Sequence, residues 1–300
     1  MERVWGGRLL ETRFHRPLPD PIKPFGESWE VVDRPEAQSL VADGPWSGLS
    51  LHELWNDHRE DVFGSGLEDR ERFPLLVKIL DAREDLSIQV HPPAHLAESL
   101  GGEPKTEMWY IAAAEPGARL VVGLKQRVSR EIFAEAIESG RVAEVVHEIP
   151  VQAGDHIFIP SGRLHAIGGG LLIYEIQQNS DTTYRVFDWN RVGLDGKPRD
   201  LHVEQSLASI DFADIEPTMD SAQGVVIASC EHFVVERHSL GVGENLGAVS
   251  DQRFSFLHLV EGEFADDAGK VWPAGTTLLV TPGDSGPTAT QSSLILRSYF

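Results

Sequence analysis

The feature that most constrains this chain is how its apolar residues are parcelled. From residue 73 onward they come in short runs separated by Gly, Pro or Asp: FPLLVKIL (73–80), LSIQVH (86–91), MWYIAA (108–113), ARLVVG (118–123), VVHEIPV (145–151), HIFIP (156–160) and LLIYEIQQ (171–178). After a Pro/Asp-rich stretch at 211–222 the pattern resumes with GVVIAS, HFVVERHSL, FSFLHLVEGE, GTTLLVTPGD and SLILRSYF. Short runs with frequent turns predict strands, and many of them in series predict a sandwich or barrel. Only three segments have helical spacing. Residues 51–62 (LHELWNDHREDV) follow a capping Ser50, residues 130–140 follow Ser129 and end at Gly140, and residues 201–210 form the third. Residues 1–50, rich in Pro, Gly and Trp, predict loops and edge strands, and 92–104 predict a loop that includes His95. The expected fold is mainly β, in two β-barrel domains with a few accessory helices, spanning 1–210 and 223–300.

Charge and cysteine usage remove several functions. Lys and Arg number 26 against 47 Asp and Glu, a formal net charge of −21. A phosphate backbone or anionic membrane is bound by clustered cations, so neither nucleic acid nor membrane is an expected partner. No apolar run approaches the roughly 18 residues of a membrane span, and the N-terminal MERVWGG lacks the apolar stretch of a secretory signal. Cys230 is the only cysteine, which excludes an intrachain disulfide and a thiolate metal cluster. A cytoplasmic protein is the simplest expectation.

Four short stretches carry chemistry. Gly154 to His165 (GDHIFIPSGRLH) has the spacing G-x5-P-x-G-x2-H: a strand crosses from Gly154, Pro160 and Gly162 form a tight turn, and His165 is returned to the interior. Gln89 and His91 lie two apart on a strand and share a face. Glu107 stands where the loop segment Lys105-Thr106 enters an apolar strand. Each alone reads as well as an ordinary core histidine, polar strand face or solvated acid. Together Gln89, His91, Glu107 and His165 offer two oxygen and two nitrogen donors, a set suited to Zn2+ and, from ligand type alone, also to Mn2+, Fe2+, Co2+ or Ni2+. The fourth stretch is the polar run 177–191, QQNSDTTYRVFDWNR, which places Arg185 and Arg191 in an otherwise acidic chain. Arg forks bind carboxylate or phosphate.

The 154–165 spacing is that of the second cupin motif, and the set SIQVHP (87–92), KTEMWY (105–110), PSGRLHA (160–166) and the 177–191 run resembles type I phosphomannose isomerases. FPLLVKILDA (73–82) and GESWEVV (26–32) add to the likeness, which is dense over 1–205. With only one helical segment between Glu107 and His165, the chain resembles the short bacterial form. The resemblance implies two cupin-like jelly-roll domains, one zinc ion per chain, and Gln89, His91, Glu107 and His165 as its ligands. It also implies Arg185 as a catalytic arginine, Lys105 as an active-site lysine, and Ser87 and Arg191 near the substrate phosphate, where the long enzymes carry Lys in place of Arg191. The implied reaction is interconversion of mannose 6-phosphate and fructose 6-phosphate through an enediol, with a small phosphosugar as the only implied partner. The competing readings are a cupin Fe2+ or Ni2+ oxygenase and a sugar-binding cupin without catalysis. In the C-terminal segment, 274–284 repeats the turn pattern but no histidine follows it, and His258 reads as a core or face residue, so no metal is expected there.

Overall fold

A computed structural model describes all 300 residues. The chain is mainly β, 37% strand and 14% helix, and divides into two compact units. Met1–Thr12, Pro17–Ser28 and Ile79–Asp220 form the first; Arg13–Arg16, Trp29–Lys78 and Ser221–Phe300 form the second. The second unit thus draws on an N-terminal segment as well as the C-terminal one. No helix is long and apolar enough to cross a membrane.

The first unit is built on β1 (Glu2–Gly7), β2 (Leu75–Ala82, which enters it at Ile79), β3 (Ile88–Val90), β4 (Glu107–Ala114), β5 (Arg119–Leu124), β6 (Val146–Pro150), β7 (His156–Ile159), β8 (His165–Ile167), β9 (Leu171–Gln178) and β10 (Tyr184–Phe187). One sheet runs β1-β2-β9-β4-β7, the other β10-β3-β8-β5-β6. Strand alternation decides what faces what. Trp109 and Ile111 of β4, Leu120 and Val122 of β5, and Ile167 of β8 share one apolar core. Ile88 and Val90 of β3, Val121 of β5 and Ala166 of β8 share another with Phe133 of the helix Arg130–Glu138. By parity, Glu107, Gln89 and His165 belong to the first of these faces. An apolar core thus has a polar floor, at the ends of strands that are otherwise hydrophobic.

Registers align that floor. Arg185 of β10 pairs with Gln89 of β3, and Gln89 pairs in turn with His165 of β8. On the other sheet Glu107 pairs with both Ile159 of β7 and Gln177 of β9. Directly paired residues project to the same side of a sheet, so three side chains of one sheet form a row.

In the second unit, five antiparallel strands run in the order Val226–Ser229, Val234–Leu240, Ser293–Tyr299, Ser255–Glu261, Thr277–Val280. Trp55, Phe63, Phe73, Phe254 and Phe300 stack mostly edge-to-face at centroid distances of 5.2–6.1 Å, a geometry aromatic quadrupoles favour. His258 is fully buried, its ring nitrogens 3.1 Å from the Thr277 hydroxyl and 2.9 Å from the Ser298 hydroxyl. It is a core histidine with hydroxyl partners, as its apolar surroundings suggest.

Two local expectations need correction. The helix expected over 51–62 is two, Leu51–Asp57 and Arg59–Phe63, because His58 leaves helical geometry at φ −132°. Ser50 does cap the first, with Glu53 completing a capping box. His95, expected in a loop, lies in the short helix Ala94–Ala97, which Pro93 starts rather than breaks by serving as its N-cap. A proline at a helix start gives up no intrahelical bond.

Candidate metal centre

His91, Glu107 and His165 bring their ligand atoms within 4.8 Å of one another. Both His91 Nε2 and His165 Nε2 face the Glu107 carboxylate, at 3.5 and 3.6 Å from Oε2 and Oε1. All three side chains are buried. The opposite ring nitrogens settle the tautomers. His91 Nδ1 lies 2.8 Å from the Thr182 carbonyl and His165 Nδ1 2.9 Å from the Arg163 carbonyl. A carbonyl only accepts, so each Nδ1 carries the proton and each Nε2 presents a lone pair to the carboxylate. Burial first, and the Lys105 charge next, pull the His91 pKa down to about 3. Burial also lowers His165, to about 4, against the pull of Glu107. Both imidazoles are therefore neutral at pH 7.

Two lone pairs aimed at a carboxylate are acceptors facing acceptors. Neither Glu107 oxygen has a hydrogen-bond donor. Lys105 Nζ stands 2.6 Å from Oε2 but off hydrogen-bond direction, so it supplies charge without satisfying the oxygen. Its ammonium also lies 3.3 Å from His91 Nε2 and 3.5 Å from Glu175 Oε1. Burial works against the charge on both members of the pair. Even so, Glu107 and Glu175 raise the Lys105 pKa, while the Lys105 charge holds the Glu107 carboxyl well below the usual range. Such a donor set fits a divalent cation: orphaned, deprotonated and preset in tautomer by outer hydrogen bonds.

Gln89 lies beside this group. Its Nε2 is 3.4 Å from His165 Nε2, and its Oε1 accepts from the Ser87 hydroxyl at 3.3 Å. The amide as placed turns nitrogen toward the centre; a half-turn about its last bond exchanges the two atoms and presents oxygen instead. Ser87 in turn accepts from Arg185 Nε at 3.2 Å. Arg185, Ser87, Gln89 and His165 therefore form a continuous polar line from a guanidinium to a candidate ligand. Arg185 is further fixed by Nη1 on the Asp200 carbonyl at 2.9 Å and by the His202 amide on its own carbonyl at 2.7 Å. Arg191 is one strand-end away, its Nε on Asp188 at 3.0 Å and Nη1 on the Asp85 carbonyl. Trp189 and Asn190, between Asp188 and Arg191, both adopt left-handed φ near +55°, a costly backbone for non-glycine residues.

Sequence reasoning missed two participants. Glu175 is a buried acid within the apolar strand β9, held by Trp109 Nε1 at 3.0 Å. A lone acid in LLIYEIQQ was the signal available. Arg199 forks onto Asp188, Nε to Oδ2 at 2.7 Å and Nη2 to Oδ1 at 2.5 Å. It follows a turn-rich loop, and nothing local marks it.

Comparison with known proteins now bears on this geometry. Residues 1–116 match the family model for the catalytic domain of type I phosphomannose isomerase. The mannose-6-phosphate isomerase ManA of Bacillus subtilis is 37% identical over 272 residues, 87% of this chain and 83% of that one. The chain belongs to the type I phosphomannose isomerases. Another relative, the mannose-6-phosphate isomerase of Streptococcus mutans, is 40% identical over 78% of this chain and 74% of its own. The crystal structure of the Bacillus subtilis mannose 6-phosphate isomerase superimposes with a TM-score of 0.87 at 32% identity, covering 100% of this chain and 97% of that one. In this isomerase the family model spans Gln89, His91, Lys105 and Glu107, while His165 and Arg185 lie beyond it and join the site through the β3 registers.

Proposed function

We propose that this type I phosphomannose isomerase interconverts mannose 6-phosphate and fructose 6-phosphate at the centre formed by His91, Glu107 and His165, with Gln89 as a fourth donor. The observation that carries the reading is the convergence of two neutral imidazole lone pairs on a buried carboxylate without a donor. Imidazole with oxygen donors and no thiolate suits zinc, one ion per chain, with other divalent first-row metals sharing part of that preference. A divalent ion held there supplies a Lewis acid for a sugar carbonyl.

The chain's own groups do the rest. Isomerisation of the open-chain sugar moves one proton from C2 to C1 and another from the C2 hydroxyl to O1. Negative charge develops on the sugar oxygens as the first proton leaves. Arg185, half-buried and next to Gln89 in register, stabilises that charge. Lys105, protonated between Glu107 and Glu175, donates to a sugar oxygen. Ser87 and Arg191 belong to the guanidinium-rich flank on which the substrate phosphate rests.

The wider assignments follow the same reading. The unit containing Ile79–Asp220 is a catalytic cupin-like jelly roll, and the one containing Ser221–Phe300 a second one without a metal motif. Two antiparallel sheets around one shared core support the first, and hydroxyl partners on the only buried histidine of the C-terminal sheet support the second. A lone cysteine agrees with a cytoplasmic location. One assay tests the function: conversion of fructose 6-phosphate to mannose 6-phosphate without oxygen, after chelation and after zinc is restored. Zinc-dependent anaerobic turnover supports an isomerase and excludes an oxygenase. No turnover after metal loading overturns the reading in favour of a sugar-binding module.

A further inference from the structure

Arg185 stands on β10, the last strand of its sheet, with β3 as its one neighbour there. An edge strand turns half of its N–H and C=O groups toward no partner strand. In an antiparallel strand both groups of one residue turn the same way. Those of Arg185 turn outward, where residue 202 takes both. The His202 amide donates to the Arg185 carbonyl at 2.7 Å, and the Arg185 amide donates to His202 Nδ1 at 3.3 Å. One histidine thus stands in for a neighbouring strand, its imidazole supplying the acceptor that a carbonyl would supply. The Asp200 carbonyl, two residues earlier, holds Arg185 Nη1 at 2.9 Å, while Ser87 takes Nε. The segment 200–202 therefore fixes this arginine on its backbone and on its side chain.

His202 is the N-cap of the helix Val203–Ser209, yet its imidazole makes no hydrogen bond to that helix. N-cap side chains ordinarily satisfy the first helical amides; here the ring is turned to the strand instead. A main-chain amide only donates, so Nδ1 holds a lone pair and a neutral ring carries its proton on Nε2, the reverse of His91 and His165. Burial first, then the Arg185 charge, lowers the His202 pKa below its ordinary 6.5 and favours that neutral ring. The helix is anchored without the imidazole. Ser206 Oγ donates to the Tyr184 carbonyl at 3.3 Å, and just beyond the helix the Asp211 amide donates to the Gly162 carbonyl at 2.8 Å. Trimming the ring therefore leaves the helix in place and removes one restraint from Arg185.

We propose that His202 is a positioning residue for Arg185, pinning its backbone so that the guanidinium meets the charge that develops on the sugar oxygens. This rests on the reading of Arg185 given above. The test is a double-mutant cycle on the zinc-loaded full chain, with His202→Ala, Arg185→Ala and the double variant assayed on fructose 6-phosphate. His202→Ala should lower kcat about five- to tenfold, the range for one lost hydrogen bond, and leave KM within about twofold. In the Arg185→Ala background the same change should cost nothing further. His202→Asn, which keeps an acceptor, should restore most of kcat. Hydrogen exchange at the Arg185 amide should quicken in His202→Ala and less so in His202→Asn. A merely structural role would lower kcat by the same factor with or without Arg185, and that additive result overturns the proposal. So does unchanged exchange at Arg185, or a kcat within about twofold of wild type in His202→Ala. Near-normal turnover of Arg185→Ala, or none by the wild type, is a different failure. It removes the catalytic reading of Arg185, and the role of His202 goes with it even where exchange shows the contact.

Discussion

Replacing Glu107 with Gln removes the charge from a fully buried carboxylate and leaves its shape almost unchanged. Lys105 and Glu107 lie 2.6 Å apart with side-chain exposures of 4% and 0%. Removing one partner of a buried pair costs about 3–5 kcal/mol, because the other charge stays buried. Glu175, 3.5 Å from the same ammonium, offers partial compensation, which places the loss at the lower end, about 3 kcal/mol in chelator. For a unit of this size each kcal/mol moves the midpoint by about 2–4 °C, so the expected drop is about 6–12 °C. Zinc adds a second, separable loss. At a free concentration a hundred times its Kd, zinc stabilises the wild type by about 2.7 kcal/mol, and a variant lacking the carboxylate ligand forfeits most of that. Thermal unfolding followed by circular dichroism, in chelator and in excess zinc, reads the two terms apart. The Glu107 carboxyl is held below its ordinary pKa of 4.5. The native state therefore binds its proton less readily than the unfolded chain does, and the chelator gap should be full above about pH 4.5 and shrink below it. A midpoint within about 2 °C of wild type in chelator would refute the buried pair. A gap that zinc fails to widen would refute ligation.

Three further outcomes are expected. Arg185→Ala should lower kcat by about a hundredfold or more, the scale of removing an oxyanion-stabilising donor, with zinc content unchanged by mass spectrometry; near-normal turnover would end its catalytic role. The double variant His91→Ala/His165→Ala should retain no stoichiometric zinc after dialysis, and one bound equivalent would show that the site lies elsewhere. Burial raises the Asp81 carboxyl to about 6 against the opposing amides of Leu9 and Leu10. Because the native state then holds this proton more tightly than the unfolded chain, Asp81 makes stability fall as pH rises from about 4 to 6, by about 3 kcal/mol. Asp81→Asn, which keeps an acceptor for the Leu9 amide, should flatten that slope in urea titrations at pH 4, 5, 6 and 7; an unchanged slope would assign it to other groups.

Much of the candidate metal centre was legible because its information is local. Gln89 and His91 share a face through the period of two, and Glu107 shares one with Trp109 and Ile111 for the same reason. The turn at 160–162 returns His165 to the interior, with Gly162 at φ +92°, a conformation other residues adopt at a cost. The rest depends on registers between strands distant in sequence. Arg185 meets Gln89 across 96 positions only because β10 pairs with β3, and no local pattern encodes that pairing. Glu175 meets Lys105 through the pairing of β9 with β4. Arg199 leaves no trace because its partner is one carboxylate at the end of an irregular turn. The contribution of residues 29–78 to the second unit escaped for the same reason, since the Trp55, Phe63 and Phe73 cluster is completed by Phe254 and Phe300 from the far end of the chain.

The net charge of −21 and an anionic substrate are reconciled by distance. The excess acids are spread over the surface, and at physiological salt their influence decays over a Debye length of about 8 Å. The arginines paired with Asp188 act at contact, where two unit charges about 4 Å apart at an effective dielectric of 20 interact by about 4 kcal/mol. Asp188 neutralises at most one of the two arginines that clasp it, and the carbonyls of Asp85 and Asp200 orient guanidinium groups without cancelling their charge. A polyanion would have to approach the acidic surface along its whole length, whereas a single phosphate needs only this one flank. The same composition that argues against nucleic acid therefore leaves a phosphosugar admissible, because two arginines share one carboxylate and keep an excess positive charge there.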